Sequence, residues 1–313
     1  MKLNSALDII QEQLVDCPDT IPTEDCLLGE NDTALIKIKD GVLYPTCANT
    51  NRVHHIRMNQ ILPYLANVAR EISGEVTFLI NTCDHACNFP LAEKFPTLCF
   101  CKSKDDKSIT IPNIDFFSGM IQSALAGVEK SDIPYEQKDL SSFFVGASSG
   151  WGDRLKYCEM VFGSSRHYGY INQIVGDVDM SAFPNASQYS FVGNIPLNEQ
   201  LQHRFLINID GYALCYSRLY WQMLSNSVPV YINRKDDWIQ LHDYFLEPNV
   251  HFIETSMDDW LDLFHYLDTP QGEELCRSIA KAGKVFCAEH FGNVQKMAHE
   301  TLAAAIKGIQ QKQ

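Results

Sequence analysis

Positive charge is scarce in this chain: 25 Lys and Arg stand against 39 Asp and Glu, for a formal net charge of -14. That balance opposes binding to nucleic acid or to an anionic membrane surface, both of which need concentrated basic side chains. A phosphate-bearing ligand would therefore need a local basic site. An uninterrupted apolar stretch is missing from the first residues, where acids fall among the apolar positions, so neither a signal peptide nor a membrane anchor is expected. The same residues suit an amphipathic helix with Leu3, Leu7, Ile10 and Leu14 on one face. No internal repeat and no low-complexity segment occurs. The paired C-x-x-C knuckles of common zinc sites are also missing. The 11 cysteines are odd in number and scattered, which without an export signal points to a reducing, cytoplasmic setting with most of them buried as small apolar residues. On that reading the sequons at Asn31 and Asn185 are chance matches.

What is present fits a globular protein. Hydrophobic residues make up 45% and charged residues 20%, so the chain has enough apolar surface to fold, and 313 residues suit two compact units better than one core. Residues 34–45 alternate apolar and polar positions around a Lys-Asp-Gly turn and predict a β-hairpin, with a helix over about residues 57–72. The runs VTFLI at 76–80 and TLCF at 97–100 have the character of buried strands in a parallel sheet. The polar stretch KSDIPYEQKDLSS at 130–142 marks a boundary. Residues 1–138 are accordingly read as an N-terminal α/β domain. Residues 139–290, with their repeated order of strand, glycine-containing turn and helix, are read as a doubly wound domain. Residues 291–313 form a last helix with Val294, Met297, Ala298, Leu302, Ala305 and Ile309 on one stripe.

Two segments of the second domain have the form that binds phosphate, since ligands of open α/β sheets lie beyond the carboxyl ends of the strands, where helix N-termini offer free N–H groups. In FFVGASSGWGDR, the small residues Gly146, Ala147, Ser148, Ser149 and Gly150 precede Arg154. Small residues let a diphosphate approach the backbone, serine hydroxyls donate hydrogen bonds and an arginine neutralises charge. In FLINIDGYALCYSRLYW, Gly211 and Tyr212 follow the strand, and Ser217 and Arg218 open the next helix. The plain alternatives are a tight turn for the first segment and a surface or ion-paired arginine for the second.

A third segment, VTFLINTCDHACNFP, places Asp84 just beyond a buried strand. A carboxylate there can act as general base towards a hydroxyl, or it can simply cap a turn. Cys83, His85 and Cys87 in the same loop also permit a metal-dependent hydrolase, although their spacing is not that of a usual zinc site. His54 and His55 are expected just before a helix, where capping or core packing competes with ligand contact.

Taken in order, these segments resemble glycosyltransferase family 90, the capsule-associated, lipopolysaccharide-modifying and protein O-glucosyltransferase-like family. LINTCDHACNFP is similar to the family's strand with N-x-x-D. PTLCFCK and ITIPNIDFF resemble its P-x-F-S-F-S-K and aromatic-pair segments. FFVGASSGWGDR resembles F-R-G-S followed by Arg, NIDGYALCYSRLYWQML resembles N-x-D-G with S-x-R, and WIQLHDYFLEPNVHF resembles W-x-x-x-L-x-P-x-V-H-Y. The resemblance implies a GT-B arrangement of two Rossmann-like domains facing a cleft, with the C-terminal helix packing back across it. It implies an inverting transfer of a hexose or pentose, glucose or xylose, from a UDP-sugar to a hydroxyl of a glycan, lipopolysaccharide or similar acceptor. Asp84 becomes the base, and Gly146, Ala147, Ser148, Arg154, Gly211, Tyr212, Ser217 and Arg218 surround the donor. Neither a metal nor any other cofactor is implied. Val145 stands where the family usually has Arg and Ala147 where it often has Ser, so a catalytically silent sugar- or nucleotide-binding module is the alternative.

Overall fold

The structure, a computed structural model, describes residues 5–28, 30, 32–47, 51–83, 89–150, 152–175, 179–215, 217–235 and 237–313. Its strands are β1 (Thr33–Lys39), β2 (Val42–Cys47), β3 (Glu75–Asn81), β4 (Thr97–Cys99), β5 (Lys102–Ser103), β6 (Ile109–Thr110), β7 (Asp139–Ala147), β8 (His167–Gln173), β9 (His203–Ile209), β10 (Val228–Ile232), β11 (Trp238–Ile239) and β12 (Ile253–Thr255). Contacts divide the chain into two compact units, the first made of residues 1–120, 236–245 and 293–313 and the second of 121–235 and 246–292. The chain thus leaves unit 1 well before the polar stretch at 130–142, which lies inside unit 2. One of its charges is buried there: Lys138 Nζ donates to Asp132 Oδ1 at 2.6 Å and to the Leu201 carbonyl at 2.5 Å.

Unit 1 is built on a mixed sheet of order β2-β1-β3-β4-β6. Asp40 and Gly41 both take positive φ, 47° and 83°, which matches the right-handed twist of the flanking strands and closes the predicted hairpin. β3 runs antiparallel to β1 and parallel to β4, and every residue after Glu75 in it is buried. The helix after the hairpin is Arg52–Ala69, longer at its start than predicted, because the Asn51 side chain accepts from the Val53 N–H at 2.9 Å and caps it there. His54 and His55 therefore lie in its first turn rather than before it. The N-terminal helix Ala6–Asp16 buries Ala6, Ile9, Ile10 and Leu14, whereas Leu7 is 41% exposed, so its apolar face is turned from the predicted one. Leu3 lies outside the described residues. The last helix, Val294–Lys312, buries the predicted stripe apart from Met297, which is only half-buried. It closes against the N-terminal helix at Gly308, where a Cβ would fall 2.1 Å from Leu14 Cδ1.

Unit 2 carries an all-parallel sheet of order β12-β10-β9-β7-β8. From β7 the chain steps to β8 on one side, then returns to β9 on the other side of β7 and continues outward through β10 to β12. The winding reverses between β7 and β9. One face of the sheet buries Phe144, Ile207 and Ile209 with Tyr157, Trp260 and Ile279, and the other buries Phe143 and Leu206 with Val128 and Trp221. Cover on both faces explains why the strands read as continuous apolar runs. Among the described residues no helix is long and apolar enough to cross a membrane.

Candidate functional site

In a doubly wound sheet the crevice for ligands opens where the winding reverses, at the carboxyl ends of the two strands involved. In unit 2 those strands are β7 and β9. The segments that follow them are the two selected above on sequence grounds, so Gly146, Ala147, Ser148, Arg154, Gly211, Tyr212, Ser217 and Arg218 all lie on the two junctions that border this reversal.

The junctions touch. Gly150 takes φ +102°, and a Cβ on it would sit 2.9 Å from the backbone of Gly211, so only glycine allows the two loops to meet. Arg154, the second residue of the helix Asp153–Val161, ties them together. Its Nε donates to the Ile209 carbonyl at 3.0 Å, and its Nη1 donates to the Ala147 carbonyl at 3.2 Å and to Ser149 Oγ at 2.8 Å. Ser148 is fully buried; its hydroxyl donates to the Val175 carbonyl at 3.1 Å and accepts from the Val175 N–H at 2.8 Å, which joins the end of β7 to the chain beyond β8. Both side chains shape the junction. Tyr212 and Ser217 are half-buried at the two ends of the second loop.

Beneath that loop lies Asp210, which stands between a buried strand and a glycine and carries no local signal of a functional role. Its carboxylate is 5% exposed and accepts from the Cys215 N–H at 3.1 Å, the Lys235 N–H at 3.1 Å and the Tyr231 hydroxyl. Burial pushes its pKa up, and those hydrogen bonds oppose the rise. It fixes the path of residues 211–215 between β9 and β10.

Arg218 differs from Arg154 in kind. It is the second residue of the helix Ser217–Leu224, and its guanidinium lies over the Phe144 ring at 5.1 Å and against the α-carbon of Gly146. Its Nη1 is out of reach of solvent and has no hydrogen-bond partner among the described residues. Burial pulls its pKa down to about 10. Burying part of a cation without a partner is costly, and an anion placed beside it would offset that cost. Val145, by the alternation of strand residues, points to the opposite face and packs into the cluster around Phe143, Leu206 and Trp221.

The geometry makes a prediction for Gly146. A Cβ there would lie 2.8 Å from Arg218 Nη2 and 3.3 Å from Nη1, the far end of a flexible side chain that can move away. Gly146→Ala is expected to leave the melting temperature within a few degrees of the parent but to weaken nucleoside diphosphate binding about 10-fold, the cost of one misplaced charge-assisted contact. Calorimetry with UDP beside a thermal melt checks this; unchanged affinity would show that the guanidinium does not meet the ligand.

Asp84, His85 and Cys87 lie outside the described residues. What leads to them is described: β3 ends at Asn81, whose Oδ1 accepts from the Cys83 N–H at 2.7 Å. Among the described residues no group of three or more His, Cys, Asp or Glu side chains is placed to hold a metal ion.

The model of the family described as Glycosyl transferase family 90 matches residues 79–297, a span that includes the last residues of β3 and both junctions of unit 2. No curated protein matches the chain. With more than half its length in that match, the chain belongs to glycosyl transferase family 90, the transferases that work between a sugar donor and an acceptor.

Proposed function

We propose that the protein is an inverting, UDP-sugar-dependent transferase of a hexose or pentose, with glucose or xylose as the sugar and a hydroxyl of a glycan, lipopolysaccharide or similar molecule as acceptor. Its two units form a GT-B pair in this reading, and it works in the cytoplasm. The observation that carries it is the half-buried Arg218 at the reversal of a parallel sheet, whose Nη1 is shielded from solvent and has no hydrogen-bond partner among the described residues. A nucleoside diphosphate supplies that partner.

Asp84 takes the proton of the acceptor hydroxyl as its oxygen attacks the anomeric carbon. The bond from that carbon to the diphosphate oxygen breaks, and its electron pair leaves with UDP. Charge grows on the departing oxygens, so a preplaced Arg218 and the amides of the Gly146–Ala147 and Gly211–Tyr212 junctions stabilise the transition state more than the bound donor. Arg154 holds both junctions at the spacing this needs.

A panel of nucleotide sugars scored for protein-dependent nucleotide release, counting hydrolysis by water as turnover, tests the proposal. Release from UDP-glucose or UDP-xylose is expected, and it should persist in excess EDTA because fixed positive charge already meets the leaving group. Activity that vanished with EDTA and returned with Mg²⁺ or Mn²⁺ would refute the metal-free mechanism. Tight UDP binding without turnover of any donor would identify a silent binding module instead, and stoichiometric zinc in the purified protein would favour a hydrolase built on Cys83, His85 and Cys87.

A further inference from the structure

Residue 82 is held more completely than a residue leaving a strand needs to be. Every polar atom of Thr82 is engaged: its N–H donates to the Asp32 carbonyl at 2.7 Å, its carbonyl accepts from Arg57 Nη1 at 2.6 Å, and its hydroxyl meets both the Asp32 carbonyl at 3.3 Å and His54 Nδ1 at 2.7 Å. Asp32 is itself gripped by Asn51, whose Nδ2 donates to Oδ1 at 2.9 Å. The segment before β1 and the first two turns of the helix Arg52–Ala69 thus converge on one residue just past the end of β3.

Of the two contacts of the Thr82 hydroxyl, the one with His54 Nδ1 at 2.7 Å is much the shorter, and the tautomer of the ring sets which of the two donates in it. The ring is fully buried, and burial holds it neutral by pulling its pKa down. The Asp32 carboxylate pulls the other way and the neighbouring His55 and Arg57 reinforce the fall. Nε2, also buried, has no hydrogen-bond partner among the described residues. An apolar side chain would fill the same space but could not hold the Thr82 hydroxyl, so what a histidine adds here lies in what Nδ1 does to Thr82.

We infer that His54 is a positioning residue for the transfer reaction, acting through the Thr82 hydroxyl to fix where the segment that carries Asp84 begins. The inference rests on the proposed role of Asp84, which follows Thr82 by two residues. A general base works only within hydrogen-bond reach of its proton, and a displacement of about 1 Å can cost roughly 100-fold in rate. His54 itself lies before the span that matches the family.

The test is a double-mutant cycle on the full chain, with UDP-glucose or UDP-xylose, whichever the wild type turns over. His54→Phe and Thr82→Val are each expected to lower kcat by about 10- to 100-fold while KM for the donor and UDP affinity stay within twofold, and the double variant should be no worse than the singles. His54→Asn should restore kcat to within a few-fold, because its side-chain amide, which can donate or accept, reaches nearly the position of Nδ1. Wild-type kcat in both single variants, additive losses in the double, a loss shared equally by UDP binding, or no recovery with Asn would each overturn the inference. Asp84→Asn is measured alongside. If it is inactive while His54→Phe is fully active, only the positioning role fails; if it is active, the base assignment fails and the positioning role with it. Should Phe not fold, Thr82→Val and His54→Asn carry the same comparison.

Discussion

Asp84→Asn is expected to lower kcat by about 100- to 10,000-fold, the usual span for loss of a general base, while UDP binding stays nearly intact. The substitution keeps size and most hydrogen bonding but removes the ability to accept a proton, so the effect falls on the step in which the acceptor oxygen attacks. Hydrolysis and transfer should fail together, because water also needs deprotonation as it attacks. Single-turnover release of UDP, with calorimetry for binding, separates chemistry from affinity. Turnover within a few-fold of the parent would show that another group accepts the proton.

The second large effect belongs to Arg218. Charge-assisted contacts to phosphate are worth roughly 1.5 to 3 kcal/mol, so Arg218→Ala should weaken UDP binding by ~10- to 150-fold. The loss in kcat/KM should exceed the loss in donor affinity, because charge on the leaving group is greatest in the transition state. The burial of Nη1 without a partner among the described residues adds an expectation about stability: removing it relieves a desolvation cost, so the melting temperature should hold or rise even though contact with Phe144 is lost. A structural ion-pair arginine would behave in the opposite way, losing stability and not affinity. Arg218→Lys should recover part of the binding only, since one ammonium cannot reproduce a planar fork of donors. Equal UDP affinity in parent and Arg218→Ala would remove it from the site.

The difference between Arg154 and Arg218 shows where sequence reading stops. Both follow a strand and a glycine-containing loop, both are the second residue of a helix, and by local pattern they are equivalent. Arg154 spends its Nε and Nη1 on the backbone of two strand ends and on Ser149, whereas Nη1 of Arg218 has no partner among the described residues. Which arginine became the tie depended on where the Ile209 and Ala147 carbonyls came to lie, and those belong to strands far apart in the chain. The same holds for Gly146. Read as a place for phosphate to approach, it also makes room for the guanidinium of Arg218. Nothing in N-I-D-G announces that Tyr231, Cys215 and Lys235 will converge on the carboxylate of Asp210.

By itself the sequence determined the elements and their kind. Apolar β-branched runs of strand length, glycines at the turns and helical stripes of Val, Leu and Ile encode strands, turns and helices through neighbours a few residues apart. The order of strand, turn and helix then commits the second half to a doubly wound parallel sheet. The same local order carried the family resemblance. Tertiary structure alone decided that residues 236–245 and the last helix join unit 1, that the chain enters unit 2 at residue 121, and that β7 and β9 lie side by side with the winding reversed between them. Those outcomes come from burial shared between segments far apart in the chain, such as Phe143 on β7 and Leu206 on β9. No window of sequence contains both partners of such a contact, and the free energy that selects it exists only once both are in place.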